Sequence, residues 1–174
     1  MTTVIYPGTF DPIHYGHINI AKRAANLFDE VIVAVYAREQ HNILFSPQER
    51  LSLAQEALKD FKNIQVVAYS GLTVKFAKKV GAQAIVRGLR VFSDFEYEFR
   101  MALANNRLDP SIDVIALMTN EEHTFLSSTT VREVAALGGD VSGFVPPHVN
   151  IALKNRFKSL GEEQDIVPLT SLRD

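Results

Sequence analysis

Five short apolar runs punctuate the chain: Thr3–Tyr6, Val31–Tyr36, Ile64–Ala68, Ala84–Val86 and Val114–Met118. They are rich in Val and Ile and lack the alternation of a strand with one wet face. That is the pattern of strands covered on both sides, as in a parallel sheet. Between the runs, apolar residues recur at helical intervals. Ile18, Ala21, Ala25 and Phe28 form one stripe over 18–28. Ser46-Pro47-Gln48-Glu49 marks a helix start, with Ser at the N-cap, Pro in the first turn and Glu three after the cap. Leu51, Leu53, Ala54, Ala57 and Leu58 supply that helix with a buried face. Thr73–Val80, Phe92–Leu108, Thr130–Leu137 and Pro146–Phe157 read as further helices. Asp109-Pro110 stops the second of these and Gly138-Gly139 the third. Alternating strand and helix predicts βαβ units and a doubly wound, five-stranded parallel sheet of the α/β class. Ligands of such sheets sit beyond the carboxyl ends of the strands. The loops after Tyr6, Tyr36, Ala68, Val86 and Met118 are therefore the places to look for chemistry.

Composition narrows the classes. At 174 residues the chain is one domain in size, taken here as 1–160 with a solvated extension over 161–174, where Glu162, Glu163, Asp165 and Pro168 cluster. No cysteine means no disulfide framework, thiol nucleophile or thiolate metal site. Eighteen basic and 20 acidic residues give a net charge of -2, which argues against nucleic-acid coating and against a polybasic membrane anchor. The apolar run 31–37 is far too short to span a bilayer, and the N-terminus has no basic lead or signal-like stretch. A cytoplasmic location is expected.

Three segments carry candidate chemistry. The first is Tyr6-Pro-Gly-Thr-Phe-Asp-Pro-Ile-His-Tyr-Gly-His17. It leaves a strand, turns through two prolines and two glycines, and enters a helix near Gly16. A helix N-terminus offers free N–H groups and partial positive charge, a natural phosphate site. His14 and His17 lie three apart, share a face and could donate to phosphate oxygens. The plainer alternative is a capped helix with two surface histidines. A zinc site is a third, weakened because His41, His123 and His148 show no compact ligand spacing. The second segment is Arg87-Gly-Leu-Arg90, placed in the loop after the fourth strand, where guanidinium forks could grip phosphate. Alternatively, both arginines pair with Asp94, Glu96 or Glu98. The third is Phe125-Leu-Ser-Ser-Thr-Thr-Val-Arg132. Thr130 with Glu133 fits a capping box, and the surplus hydroxyls could bind phosphate at the helix start.

Taken together, Tyr6-Pro-Gly-Thr-Phe-Asp-Pro12 with His14-Tyr-Gly-His17, Arg87-Gly-Leu-Arg90 with Asp94-Phe-Glu-Tyr-Glu98, and Leu126-Ser-Ser-Thr129 with Val131-Arg132 resemble the bacterial-type phosphopantetheine adenylyltransferases of the HxGH nucleotidyltransferase superfamily. The resemblance covers residues 3 to about 158. It implies a Rossmann-like nucleotidyltransferase fold and adenylyl transfer from ATP to 4′-phosphopantetheine, giving dephospho-coenzyme A and pyrophosphate in coenzyme A biosynthesis. The substrate then brings its own nucleophile, so the protein's task is positioning and charge stabilisation.

Carried over by position, the resemblance makes His17 the catalytic residue that stabilises the pentacovalent α-phosphate. It gives Thr9 to both substrates, and the Phe10 backbone, Gly88, Leu89, Arg90 and Glu98 to ATP. His123, Thr124, Phe125, Leu126, Ser127, Ser128 and Thr129 line the nucleotide. Thr73, Arg87 and His41 go to the phosphopantetheine side. Mg²⁺ is implied with the triphosphate, with no dedicated protein metal site, and a homohexamer is implied as the assembly. The chain departs from the family at His41, where a lysine is usual and Arg38 is the other candidate cation. It departs again at His14, where Thr is more common, and in the C-terminal extension. Two other readings stay open: another HxGH-type enzyme, such as a nicotinamide mononucleotide adenylyltransferase, or a nucleotide-binding regulator without turnover.

Overall fold

The structure is a computed structural model that describes residues 1–37 and 42–162. Twelve elements are built on a five-stranded parallel sheet of order β3-β2-β1-β4-β5. The strands are β1 (Thr3–Gly8), β2 (Glu30–Tyr36), β3 (Ile64–Tyr69), β4 (Ala84–Leu89) and β5 (Asp113–Met118). The helices are α1 (Tyr15–Leu27), α2 (Pro47–Leu58), α3 (Thr73–Lys79), α4 (Phe92–Leu108), α5 (Ser128–Ala136) and α6 (Pro147–Glu162), with a single 3₁₀ turn at Glu121–His123. Every predicted strand is present, and the sheet is parallel throughout.

Successive residues of a strand point to opposite faces, so β1 feeds two cores. Val4 and Tyr6 join Val31, Val33 and Val35 against Ile20 and Ala24 of α1 and Ala54 and Leu58 of α2. Ile5, Ile32 and Ile85 face the other way, against Val74 and Ala77 of α3. Each such fully buried side chain stabilises the fold by roughly 1.5–3 kcal/mol. This two-sided burial is why the strand runs lack polar alternation.

Several boundaries differ from the sequence reading. Strand β4 runs to Leu89 instead of Val86, so Arg87 and Gly88 are strand residues, not loop residues. Ladder pairing with β5, Arg87 to Ala116 and Gly88 to Leu117, carries the strand past its last apolar residue. Helix α5 begins at Ser128, with Ser127 as its cap in place of Thr130. Helix α6 continues to Glu162, so the first two residues of the expected extension are helical. Residues 163–174, like Arg38 and His41, lie outside the described residues. None of the described helices is long and apolar enough to cross a membrane.

Candidate functional site

Connections from β1 run towards β2, while those from β4 run towards β5, so the switch point lies between β1 and β4. A cavity of about 270 Å³ opens there. Its wall includes Thr9, Phe10, His14, Gly16, His17, Arg87, Gly88, Arg90, Asp94, Glu98, His123, Leu126, Ser127 and Ser128. A second cavity of about 470 Å³ lies beside it, lined by Tyr36, Tyr69, Leu72, Thr73, Tyr97, Met101, Asn105 and Leu108 among others. Pro7, Gly8, Thr9, Arg87 and Glu98 belong to both walls.

The start of α1 sets the first wall. His14 is the N-cap: its Nδ1 accepts the Gly16 N–H at 3.1 Å. The His14 N–H in turn donates to Nδ1 of His17 at 3.3 Å, which closes a reciprocal capping box. The two rings stack with centroids 3.7 Å apart. Gly16 has to be glycine, because a Cβ there would stand 2.9 Å from Cε1 of His14. The surface-histidine alternative is excluded, since His14 is buried at 3% exposure. Both Nδ1 atoms are used inside the cap, so each ring has only its Nε2 side left for a ligand.

Burial, then the charge of His17 and of Arg90, holds the His14 pKa well below the usual imidazole value. Burial, then Arg90 and Arg87, pushes His17 down to about 3. Both rings are therefore neutral at physiological pH. With Nδ1 of His17 accepting, its proton sits on Nε2. His17 is a neutral N–H donor on the cavity wall.

The two arginines do both things the sequence left open. Nε and Nη2 of Arg87 hold both carboxylate oxygens of Glu98 at 2.8 and 2.6 Å, and Nη1 donates to the Pro7 carbonyl at 2.8 Å. Burial disfavours the Arg87 charge, but the Glu98 hydrogen bonds and charge outweigh it, and its pKa is raised. Arg90 grips Asp94 through Nε and Nη2 at 3.0 and 3.1 Å and donates from Nη1 to the Leu126 carbonyl at 2.9 Å. Each arginine is thus oriented by a carboxylate and a carbonyl while lining the cavity wall. Glu96 pairs instead with Arg100, away from the cavity.

The start of α5 closes the site. Ser127 Oγ accepts the Thr130 N–H at 3.0 Å and lies 2.9 Å from Thr130 Oγ1. Ser128 Oγ donates to the Pro12 carbonyl at 2.9 Å. Three of the four hydroxyls are therefore engaged inside the protein, and the phosphate-ready groups of this segment are the backbone N–H groups of the helix start.

Among the predicted residues, the first cavity gathers Thr9, Phe10, His17, Arg87, Gly88, Arg90, Glu98, His123, Leu126, Ser127 and Ser128. Thr73 lines the second cavity, with its Oγ1 3.1 Å from Tyr69 OH. Leu89, Thr124, Phe125 and Thr129 are on neither wall. Leu89 points into the interior and Phe125 lies against Phe144. His41 falls outside the described residues. Sequence reasoning missed Ile20, Asp94 and Thr119 of the first cavity, and Tyr36, Tyr69, Tyr97 and Met101 of the second. A signal for the last two existed: α4 carries more large apolar residues than one buried helix face needs.

Comparison with known proteins adds identity to this geometry. Residues 5–134 match the cytidylyltransferase-like family. The chain is 52% identical over 158 residues to a phosphopantetheine adenylyltransferase of Caldanaerobacter subterraneus subsp. tengcongensis, covering 91% of this chain and 99% of that protein. It is 50% identical to those of Thermomicrobium roseum and Chloroflexus aurantiacus, covering 97% and 100% of those proteins. A solved structure from Vibrio parahaemolyticus, provisionally named a nicotinate-nucleotide adenylyltransferase, superimposes with a TM-score of 0.68 at 22% identity, over 89% of this chain and 100% of that one. At that identity the superposition speaks for the fold alone.

Proposed function

We infer that this chain, which belongs to the phosphopantetheine adenylyltransferase family within the cytidylyltransferase-like group, transfers the adenylyl group of ATP to the phosphate of 4′-phosphopantetheine in coenzyme A biosynthesis. A phosphate oxygen of 4′-phosphopantetheine attacks the α-phosphorus of ATP. The bond from that phosphorus to the bridging oxygen breaks, and pyrophosphate leaves with the electron pair. Dephospho-coenzyme A is the other product.

The observation that carries the reading is the pair of cavities with a common wall. The polar one, rich in helix starts, suits the nucleotide. The other, lined by Tyr69, Leu72, Met101 and Leu108, suits a long and partly apolar pantetheine arm. The shared Thr9 and Arg87 stand where two phosphates would meet. His17 donates its Nε2–H to the α-phosphate as charge grows there, a hydrogen bond worth more in the transition state than in the ground state. Arg87 takes the acceptor phosphate, and Arg90 with the α5 start takes the triphosphate. Arg90 and Arg87, which add to burial in keeping His17 neutral, also draw anions in.

Mg²⁺ fits this donor set only through the nucleotide. The cavity offers histidines, arginines and N–H groups, and its carboxylates Asp94 and Glu98 are already held by arginines. The ion would neutralise triphosphate charge, held mostly by phosphate oxygens and water. The reading carries a cytoplasmic location with it. It also carries a homohexamer, for which α4 is the natural contact: Phe92, Phe95, Phe99 and Leu103 are exposed along it.

The test is pyrophosphate release across a panel of acceptors. Release is expected with ATP plus 4′-phosphopantetheine, with reversal from dephospho-coenzyme A and pyrophosphate. Turnover with nicotinamide mononucleotide in place of phosphopantetheine would overturn the assignment, and binding of ATP without turnover on any acceptor would point to a regulator.

A further inference from the structure

Arg50 lies on α2, wholly buried at 0% exposure, and it lines neither cavity. Its guanidinium donates to three carbonyls: Nε to Phe45 at 3.1 Å, and Nη1 to Thr9 at 2.7 Å and to Tyr36 at 2.8 Å. Ala54 and Leu58, the next buried positions of α2, are apolar, as a helix face on a core ordinarily is. A buried charge is an expensive way to gain stability. What a guanidinium does that an apolar side chain cannot is hold carbonyls in fixed directions.

The direction matters at Thr9. Among the described residues the one cis peptide bond is Asp11–Pro12, so the bond joining Thr9 to Phe10 is trans. In a trans peptide the C=O and N–H point to opposite sides. A Thr9 carbonyl anchored on Arg50 in the core therefore turns the Phe10 N–H the other way. On that side Thr9 and Phe10 form the cavity wall beside His17. Among the described residues this N–H has no acceptor. Phe10 holds a φ of 52°, unfavourable for a residue with a side chain, so the surroundings have to enforce it. Its ring is packed edge-on against Tyr6 and His17, at 5.5 and 4.9 Å. The carbonyls that follow are clasped as well, Asp11 by Arg132 and Pro12 by Ser128.

We propose that Arg50 is a positioning residue, which aims the Phe10 N–H at a phosphate oxygen of the bound nucleotide by fixing the Thr9–Phe10 peptide plane. The proposal rests on the nucleotide reading above. In protein labelled with ¹⁵N-Phe, the Phe10 amide resonance should move downfield on addition of pyrophosphate or ATP. In Arg50→Lys, which keeps the charge but not the planar fork, that movement should be lost. kcat should fall about 10–100-fold, as a displaced binding group costs, with KM for phosphopantetheine within about twofold. Arg50→Gln should behave alike. Leu58→Ala, a cavity variant on the same helix, should lower Tm without changing the Phe10 shift or kcat. An enzyme that turns over while its Phe10 amide ignores both ligands would overturn the proposal and leave the functional reading intact. Wild-type kcat and Phe10 shift in Arg50→Lys would overturn it too. Failure of both Arg50 variants to fold would make Arg50 a scaffold residue and have the same effect. Absence of turnover in the wild type counts against the functional reading, and the pyrophosphate shift still tests the aim of the amide.

Discussion

Two regions of this molecule invert the usual rule of apolar inside and polar outside, in opposite senses. Around the β1 loop, polar groups are buried: Asp11 and His14 are 2% and 3% exposed, Arg50 and Arg132 0% and 5%. Along α4, large apolar groups stand in solvent: Phe92 is 88% exposed, Tyr97 56% and Phe99 51%. The buried polar region is dense with internal partners, although Nη2 of Arg50 finds none among the described residues. Asp11 alone accepts from Leu44 N–H at 2.7 Å and Phe45 N–H at 2.9 Å and contacts Arg132 at 3.3 Å. Burial raises its carboxyl pKa, and those same partners pull against the rise. On the apolar side, Phe92, Phe95 and Phe99 form a ladder at 6.2 and 5.7 Å. A densely bonded buried network fixes geometry for a small charged ligand. An exposed apolar face suits a surface that another protein covers.

The sharpest way to break that contrast is to remove a donor from the polar side. His17→Ala should lower kcat on the order of 10²–10³, as loss of one oxyanion donor does, with KM for ATP nearly unchanged. Steady-state kinetics in both substrates checks the split. A variant with near-normal kcat would take His17 out of the mechanism.

Next come the two oriented arginines. A charge-assisted hydrogen bond is worth about 1.5–3 kcal/mol, so each alanine variant should raise one KM roughly 10–100-fold. Arg87→Ala should act chiefly on phosphopantetheine and Arg90→Ala chiefly on ATP. Lysine should restore each only partly. Equal effects of both variants on both substrates would refute the division.

Changing the apolar side should leave the chemistry comparatively alone. Phe95 and Phe99 line neither cavity. If the proposed homohexamer forms through α4, Phe95→Glu with Phe99→Glu should give a smaller species in light scattering, while kcat changes by less than about tenfold. An unchanged mass would move the assembly surface elsewhere.

The smallest effect concerns pH. His14, buried, and His17, half-buried, are both neutral, and their folded-state pKa values lie below the unfolded value near ~6.5. Such groups contribute stability fully above that value and lose it as pH falls towards the folded pKa, about 3 for His17. Unfolding free energy should therefore drop below about pH 6.5, by up to about 1.4 kcal/mol per pH unit for each histidine. Asp11, raised in the folded state, acts with the opposite sign from the unfolded carboxylate value upwards, so urea titrations between pH 5 and 8 are compared with the same titrations of the histidine variant. His14→Asn keeps a capping acceptor without the imidazole and should flatten the slope. An identical slope in that variant would show that His14 is not the titrating group.

The sequence made the frame legible because two-sided burial leaves uninterrupted Val and Ile runs, and because Ser46-Pro47 and Gly138 are local signals that act wherever they occur. Gly138, at a φ of 76°, ends α5 as anticipated. What stayed hidden depends on distant partners. The extension of β4 through Arg87 is dictated by β5, where Arg87 pairs with Ala116. Choosing Ser127 over Thr130 as the cap depends on where the chain crosses Pro12. Arg50 looks like any charged residue in an amphipathic helix, and only the meeting of the β1 and β2 ends shows that its Nε and Nη1 are taken by backbone carbonyls. The candidate site was readable as motifs, its second cavity much less so, because Tyr36, Tyr69 and Met101 converge from three separate elements.

The wall common to both cavities has a pharmacological consequence. Pro7, Gly8, Thr9, Arg87 and Glu98 separate compartments of about 270 and 470 Å³ by the thickness of a few side chains. One molecule that reaches across it, an adenine-bearing head tethered to an amphipathic tail, would bind its second half as an intramolecular event. For a short, well-fitted tether the effective concentration reaches the millimolar range. Two weak fragments, each occupying one compartment, would then be worth linking before either is optimised, and the tether length that maximises affinity would measure the span between the compartments in solution.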